Sequence, residues 1–418
     1  MATHFVPLVI VAVLGSWLLA LALFHGGFQQ LLRLSRAAQA VIALVLLIPL
    51  AQLVPLAPAW WHALPGRALA VAVLQQVGLA DQWHPLTLEV PSTALAAAAS
   101  FWMVGLVLAV TLLPNDRIRQ LFLLIFVLGL INIAIGMAQI ASRGEAFALY
   151  SFTHYGSLIG VFSNKNHTGL FLALSILAGY GIMRREQFRH RRSLMVVAPV
   201  LLVFLAALIA TFSRAGLLLG VIAIAIAIFL TFEDRLGKAG RVLGLSALAL
   251  CGLLAVFAST DLAAGALGRF AAVSEDVRWG FWTRSWPLVG AYFPAGGGLG
   301  SFPTLFAVAE RLEWLKPTYL NHAHNDYLEF LIEAGAAAVL VVAIALIGLA
   351  IQAVRAWRCR YTGEGRQALI GAAMVVLCAV HSVFDYPLRR IAIAAVFFFA
   401  WAVVQRVGLT KKAIADND

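Results

Sequence analysis

The sequence predicts an all-α integral membrane protein with about eleven transmembrane helices, and three observations carry that prediction. Apolar residues make up 62% of the 418-residue chain and charged residues only 12%, with a mean hydropathy of +0.92. Soluble globular chains run near 45–50% apolar and about 25% charged, so this chain cannot cover its surface with polar groups in water. Apolar runs of bilayer length recur along the whole chain, and Lys and Arg gather in alternate connections between them. Three cysteines, Cys251, Cys359 and Cys378, are too few and too scattered for a disulfide framework or a Cys-rich metal site.

Runs of about 17–25 apolar residues match the hydrocarbon core of a bilayer. They fall at 5–24, 40–57, 94–113, 120–141, 167–183, 194–213, 215–232, 242–258, 328–354, 368–385 and 391–405. The first lacks a basic leader and is followed at once by another span, which distinguishes it from a cleaved signal peptide. No run carries a charged residue near its middle; Glu329, Glu333 and Asp385 lie near an end. The segment 66–80 is apolar enough to add a short or re-entrant twelfth helix. The chain reads as a single polytopic domain, 1–418, with one long connection, 259–323, that has room for short amphipathic helices.

Orientation follows from the bias of Lys and Arg toward the cytoplasmic side. The connections 25–39, 114–119, 184–193, 233–241 and 355–367 and the tail 406–418 hold 19 of the 30 Lys and Arg but 7 of the 19 acidic residues. This side is cytoplasmic, which leaves the other connections and the N-terminus outside. The net charge of +11 is thereby explained as topology, and no nucleic-acid partner is implied.

The outer side collects the chemistry. The connection 58–93 carries Trp60, Trp61 and Trp83, suited to anchoring at a membrane interface. The long connection carries RWGFWTRSWP from Arg278 to Pro287 and a glycine-rich stretch at 296–300. Its Trp and Arg residues suit either stacking on sugars with phosphate binding or a helix lying on the membrane surface. Arg214, in TFSRAG, falls between two spans with almost no loop around it, and a charge there calls for a partner or a task. In NHAHNDYLEFLIEAG at 321–335, a helix beginning near Asn325 places Glu329 and Glu333 on one face, with His322, His324 and Asp326 at its mouth. That set could hold a metal, but its spacing is poor; a proton acceptor suits one of the imidazoles better. In HSVFDYPLRR, His381 and Asp385 share a helical face, Pro387 ends the helix, and Arg389 and Arg390 follow at the surface. A buried structural pair and a catalytic pair are both open there. FSNKNHTG brings Asn164, Lys165, Asn166 and His167 to the same level.

Taken in order, these motifs resemble the O-antigen ligase and O-antigen polymerase superfamily, polytopic glycosyltransferases of the GT-C type. The resemblance rests on FSNKNH at 162–167, SRAG at 213–216, Arg278, the glycine-rich turn at 296–300, His324-Asn325 followed by Gly335, and HSVFDYPLR at 381–389. It spans roughly 100–405. One departure is Ala338, where the family pattern has a second glycine, a helix-packing position at which Ala should cost little.

The resemblance implies transfer of a glycan from a polyprenyl-diphosphate carrier to a sugar hydroxyl, on the periplasmic face of a bacterial inner membrane. The acceptor is a lipid A core sugar in a ligase or a growing carrier-linked glycan in a polymerase, and a protein acceptor is a third option within the superfamily. It implies no cofactor and no metal, and places both termini in the cytoplasm, against the charge bias at the N-terminus. On that chemistry His324 is the candidate base. Arg214, Arg278 and, less directly, Arg389 are candidates to clamp the diphosphate. Asn325, Asn164, Asn166, His167, His381 and Asp385 complete the expected substrate site. The only Asp-x-Asp, Asp416 and Asp418, lies in the cytoplasmic tail. A lipid-linked glycan transporter is the reading from another class, but it would place polar groups near the bilayer midplane.

Overall fold

The computed structural model describes residues 2–150, 156–182, 191–232, 277–315, 320–407 and 409. It is helical almost throughout; the described strands, Pro55–Leu56 and His84–Pro85, form one small antiparallel pair. The helices are α1 Ala2–Ala22, α2 Phe28–Arg33, α3 Arg36–Gln52, α4 Pro58–His62, α5 Ala68–Gln76, α6 Val90–Leu112, α7 Asn115–Ala141 and α8 Lys165–Ile182. They continue as α9 Arg191–Ala210, α10 Arg214–Phe232, α11 Val277–Tyr292, α12 Phe302–Ala309, α13 Asp326–Ala334, α14 Ala336–Arg358, α15 Gly363–His381 and α16 Ile391–Gln405.

Each apolar run read from the sequence overlaps one helix, except 328–354, which spans two, and 242–258, which lies outside the described residues. Among the described residues, α6, α7, α14 and α15 are long and apolar enough to cross a membrane, and shorter apolar helices lie at 36–52, 197–210, 214–230 and 391–405. The chain is a multi-pass helical membrane protein. The short helix that 66–80 allowed is present as the nine-residue α5, about 14 Å long at 1.5 Å per residue, under half of a roughly 30 Å hydrocarbon core and so not a full span. One expectation needs correction. The run 328–354 is not one helix. Gly335 (φ +56°, ψ −132°) breaks it, and a Cβ there would lie 2.0 Å from the carbonyl oxygen of Pro294. The span therefore begins at Ala336.

α8 is the central post. Nearly every residue from His167 to Gly181 is buried, as expected of a helix apolar on all sides inside a bundle. α7, α10 and α15 pack around it. Its closest neighbour is α10. Gly169 and Gly216 face each other so tightly that a Cβ on either would lie 2.6–2.7 Å from the other's Cα.

Polar contacts define the two ends of the bundle. At one end Arg119 donates to the Ile182 carbonyl (2.9 Å), Arg406 to Asn115 (2.8 Å) and Ser35 to Gln405 (3.1 Å). These join the starts of α3 and α7 to the ends of α8 and α16, where the Lys- and Arg-rich connections emerge. At the other end Gln52 donates to the Glu333 carbonyl (2.9 Å) and accepts from the Leu299 N–H (2.9 Å), tying the end of α3 to α13 and the glycine-rich turn. α1 runs parallel to α6, with Gly15 against Trp102 and Leu19 against Gly105, so its Ala2 end points toward this second end.

Candidate active site

The start of α8, the start of α10 and the segments 320–325 and 382–390 meet at the second end, around the carboxylate of Asp385. Asp385 is fully buried. One oxygen lies 3.5 Å from His167 Nε2 and 3.5 Å from His324 Nδ1. The other accepts from Asn166 Nδ2 (3.1 Å) and Asn164 Nδ2 (3.4 Å). Burial works to raise its pKa, but the His167 and His324 contacts and the nearby His381 hold it well below the usual carboxylate range. Asn166 in turn accepts from the Ser213 hydroxyl (2.8 Å), which also accepts the Gly216 N–H (3.0 Å) and so caps α10. The Gly169–Gly216 contact is what lets α8 and α10 approach closely enough for this chain of bonds.

One expectation about this region is corrected. α15 ends at His381, not at Pro387, which opens a short 3₁₀ turn at Pro387–Arg389. Asp385 lies beyond the helix, and its N–H donates to the His381 carbonyl (3.0 Å).

His324 has a φ of +53°. That left-handed conformation is uncommon for a residue other than glycine and tends to occur at functional positions. α11 holds it there: Phe281 stacks on its ring (5.5 Å between centroids), and Trp282 Nε1 donates to its carbonyl (3.2 Å). Asn325 then caps α13 by accepting the Leu328 N–H (3.0 Å). Its capping role uses its side-chain oxygen, and the expected helix start is where the sequence put it. The His324 side chain is 23% exposed and that of His167 only 1%, so of these two imidazoles His324 can meet a substrate. The Tyr386 ring stands among His322, His324 and His167, at 4.2, 4.9 and 5.1 Å.

A second cluster lies on the inner face of α13. Arg389 pairs with Glu329 (3.1 Å), Glu333 (2.8 Å) and Asp326 (3.8 Å). Three carboxylates around one guanidinium cannot all ionise cheaply. Burial raises Asp326 to about 7 against the pull of Arg389 and the Ser382 hydroxyl, and burial likewise raises Glu333. For Glu329, burial acts upward but is outweighed by Arg389 and His322, leaving it below the usual range. Its oxygens accept from His322 Nδ1 (2.9 Å) and the Ala323 N–H (2.8 Å), fixing the loop that delivers His324. Asp326 accepts from the Ser382 hydroxyl (2.9 Å) and the Leu388 N–H (3.2 Å), joining that loop to 382–388. Arg389, expected as a weaker candidate to clamp the diphosphate, is in this structure the hub of an internal ion cluster.

Its neighbour Arg390 is the residue that sequence reading passed over. It donates to the Tyr386 hydroxyl (3.2 Å) and lies over that ring (5.0 Å), beside the imidazoles, with no carboxylate partner among the described residues. Two adjacent arginines look alike in sequence; only the fold assigns one to the carboxylates. Arg214 is exposed at the start of α10, next to the Ser213 cap, also without a partner among the described residues. A cation at a helix N-terminus opposes the helix dipole, an arrangement that an incoming anion would relieve. Arg278 lies in the first turn of α11; its side chain lies outside the described residues. The glycine-rich turn packs as structure: the N–H groups of Gly297 and Gly298 donate to the carbonyls of Ile332 (3.0 Å) and Glu333 (2.9 Å). Among the described residues, no three His, Cys, Asp or Glu side chains are grouped to hold a metal ion.

Residues 199–343, about a third of the chain, match the family model described as O-antigen ligase. No curated protein matches the chain.

Proposed function

Starting from residues 199–343 as an O-antigen ligase family region, we propose that the protein is a membrane glycosyltransferase working on a polyprenyl-diphosphate-linked glycan. The observation that carries this reading is the placing of His324 on Asp385 in a cluster open to substrate, with two arginines, Arg214 and Arg390, that have no carboxylate partner among the described residues. The cluster lies at the end of the bundle away from the Lys- and Arg-rich connections, which on the charge bias is the periplasmic side.

His324 directs Nδ1 at the Asp385 carboxylate. Asp385 would hold the proton on Nδ1, leaving Nε2 with its lone pair, as carboxylates orient catalytic imidazoles elsewhere. Nε2 takes the proton of the acceptor hydroxyl as the oxygen bonds to the anomeric carbon of the donor. The bond from that carbon to the phosphate oxygen breaks, and the lipid diphosphate leaves with an added negative charge. Arg214 and Arg390, with Arg278, meet that charge through charge-assisted hydrogen bonds. Attack opposite to the leaving group inverts the anomeric configuration. Asn164, Asn166 and His167 keep the Asp385 charge in place, and the lipid enters sideways from the bilayer.

The deciding experiment is reconstitution of the purified protein with carrier-linked glycan and, separately, a lipid A core acceptor or a second carrier-linked glycan, in buffer containing EDTA. Transfer to the core supports a ligase and chain growth a polymerase. Absence of both would overturn the reading, and transfer that needs an added divalent cation would overturn its metal-free part.

A further inference from the structure

The end of the bundle opposite the His324 cluster has its own cavity. It measures about 270 Å³, many times the roughly 10–15 Å³ that one water requires. Arg33, Arg36 and Arg355 line it together with Ser35, Gln39, Gln352 and Gln405, and among the described residues no Asp or Glu does. The floor is a fixed polar network. Gln352 and Gln405 are buried, at 2% exposure each. Gln405 Oε1 accepts from Ser35 (3.1 Å) and Gln352 (3.2 Å), and Gln352 Oε1 accepts from Arg355 (3.2 Å). Arg36 donates to Gln39 (3.0 Å), whose amide is spent on carbonyls of the α2 end. Arg33 has no hydrogen-bond or ion-pair partner among the described residues. Among the described residues, the cavity thus presents cationic donors with no counter-charge in its wall.

We infer that this cavity binds a phosphate group, and that its source is the headgroup of an anionic phospholipid. The apolar side chains beside it favour the lipid: Phe28 and Leu32 on α2, and Ile351 and Val354 on α14, are 48–60% exposed. A headgroup seated against the three arginines would lay its acyl chains over these residues. Basic pockets between membrane helices at the cytoplasmic surface take phospholipid headgroups in this way. The site is independent of the glycosyl-transfer reading.

The test uses the full chain, purified and compared in phosphatidylglycerol and phosphatidylcholine nanodiscs, and in detergent with added phosphatidylglycerol, sn-glycerol 3-phosphate or inorganic phosphate. Wild type should retain phosphatidylglycerol in native mass spectra and melt a few degrees higher in phosphatidylglycerol than in phosphatidylcholine. Arg33→Gln/Arg36→Gln/Arg355→Gln should lose both effects. Arg33→Gln alone, which breaks no internal bond among the described residues, should weaken them if the triple variant accumulates poorly. Arg117→Gln/Arg358→Gln removes two arginines from the same end but outside the cavity, and should leave both effects intact. Stabilisation by the soluble phosphates to the same extent as by the lipid would keep the phosphate site and reassign its source. No preference for phosphatidylglycerol together with no effect of the soluble phosphates, or equal loss in the Arg117/Arg358 control, would overturn the proposal.

Discussion

His324 and Arg214 should fail in different ways, because one handles a proton and the other a charge. His324→Ala should reduce turnover about 10²–10⁴-fold, the usual range for a lost general base, with donor binding nearly intact. His322→Ala should cost less, since its Nδ1 is held by Glu329 rather than by Asp385. Arg214→Ala should weaken donor binding, and Arg214→Lys should still impair turnover because the ammonium lacks the planar fork. Binding of carrier-linked glycan, measured beside turnover, separates the two; loss of binding in His324→Ala with full activity in Arg214→Ala would reverse the roles. The adjacent arginines offer a sharper contrast. Arg390→Gln should raise the KM for donor roughly ten- to a hundred-fold, from the about 1.5–3 kcal/mol of a hydrogen bond to a charged group, at unchanged melting temperature. Arg389→Gln leaves the α13 carboxylates without their guanidinium, a loss of up to roughly 3–5 kcal/mol for a broken buried pair. It should therefore appear first as a lowered melting temperature. Equal stability in the two variants would contradict this division.

At the scale of elements, two close approaches build the site. Gly216→Ala places a methyl 2.7 Å from the Gly169 Cα. Neither backbone can yield without parting α8 from α10, and overpacking of this kind costs about 1–3 kcal/mol. The separation would also stretch the Ser213–Asn166 bond, so activity should fall further than the melting temperature accounts for. A variant with wild-type activity would show that the contact does not position the site. α13 gives the pH response. Burial places the Asp326 pKa at about 7 in the fold, above its ordinary 3.8. The folded state therefore holds a proton that the unfolded chain has released, and stability is lost as pH rises from about 4 through about 7. The raised Glu333 acts with the same sign. His322, lowered by burial from its ordinary 6.5, opposes them below that pH, so Asp326 and Glu333 must outweigh it. The lowered Glu329 and Asp385 act only at more acid pH, where protonation destabilises. Melting should occur at lower temperature at pH 8 than at pH 5.5, and Asp326→Asn should flatten that slope. An unchanged slope would place the titration elsewhere.

For the whole molecule, the two ends differ in charge and in chemistry, and the proposed orientation follows from that difference. A cysteine placed in 184–193 should be shielded from an impermeant thiol reagent in cells with a permeabilised outer membrane, while one at 310–315 should react readily. Labelling of 184–193 under those conditions would invert the topology and put the His324 cluster in the cytoplasm. The α1 helix runs parallel to α6, so the same experiment also decides the side of its Ala2 end, which lies at the end of the bundle that holds the His324 cluster.

Much of this was legible in the sequence, because both hydropathy and capping are local. A bilayer-length apolar run needs no partner to declare itself a helix, and Asn325 with Glu329 and Glu333 in register announces the α13 cap and its inner face. The polar motifs near span ends also pointed to one face. The tertiary structure alone decided what each polar group does there, since partner choice depends on residues far apart in the chain. It divides Arg389 from Arg390, for reasons that lie on α13, more than fifty positions away. It gives Asp385 to His167 and His324 as well as to the field of His381, because the α15 helix stops short of it. It ends the apolar run at Gly335, where the backbone turns into a conformation that an apolar pattern cannot encode. Periodicity reports which residues leave water; only packing reports which of them meet.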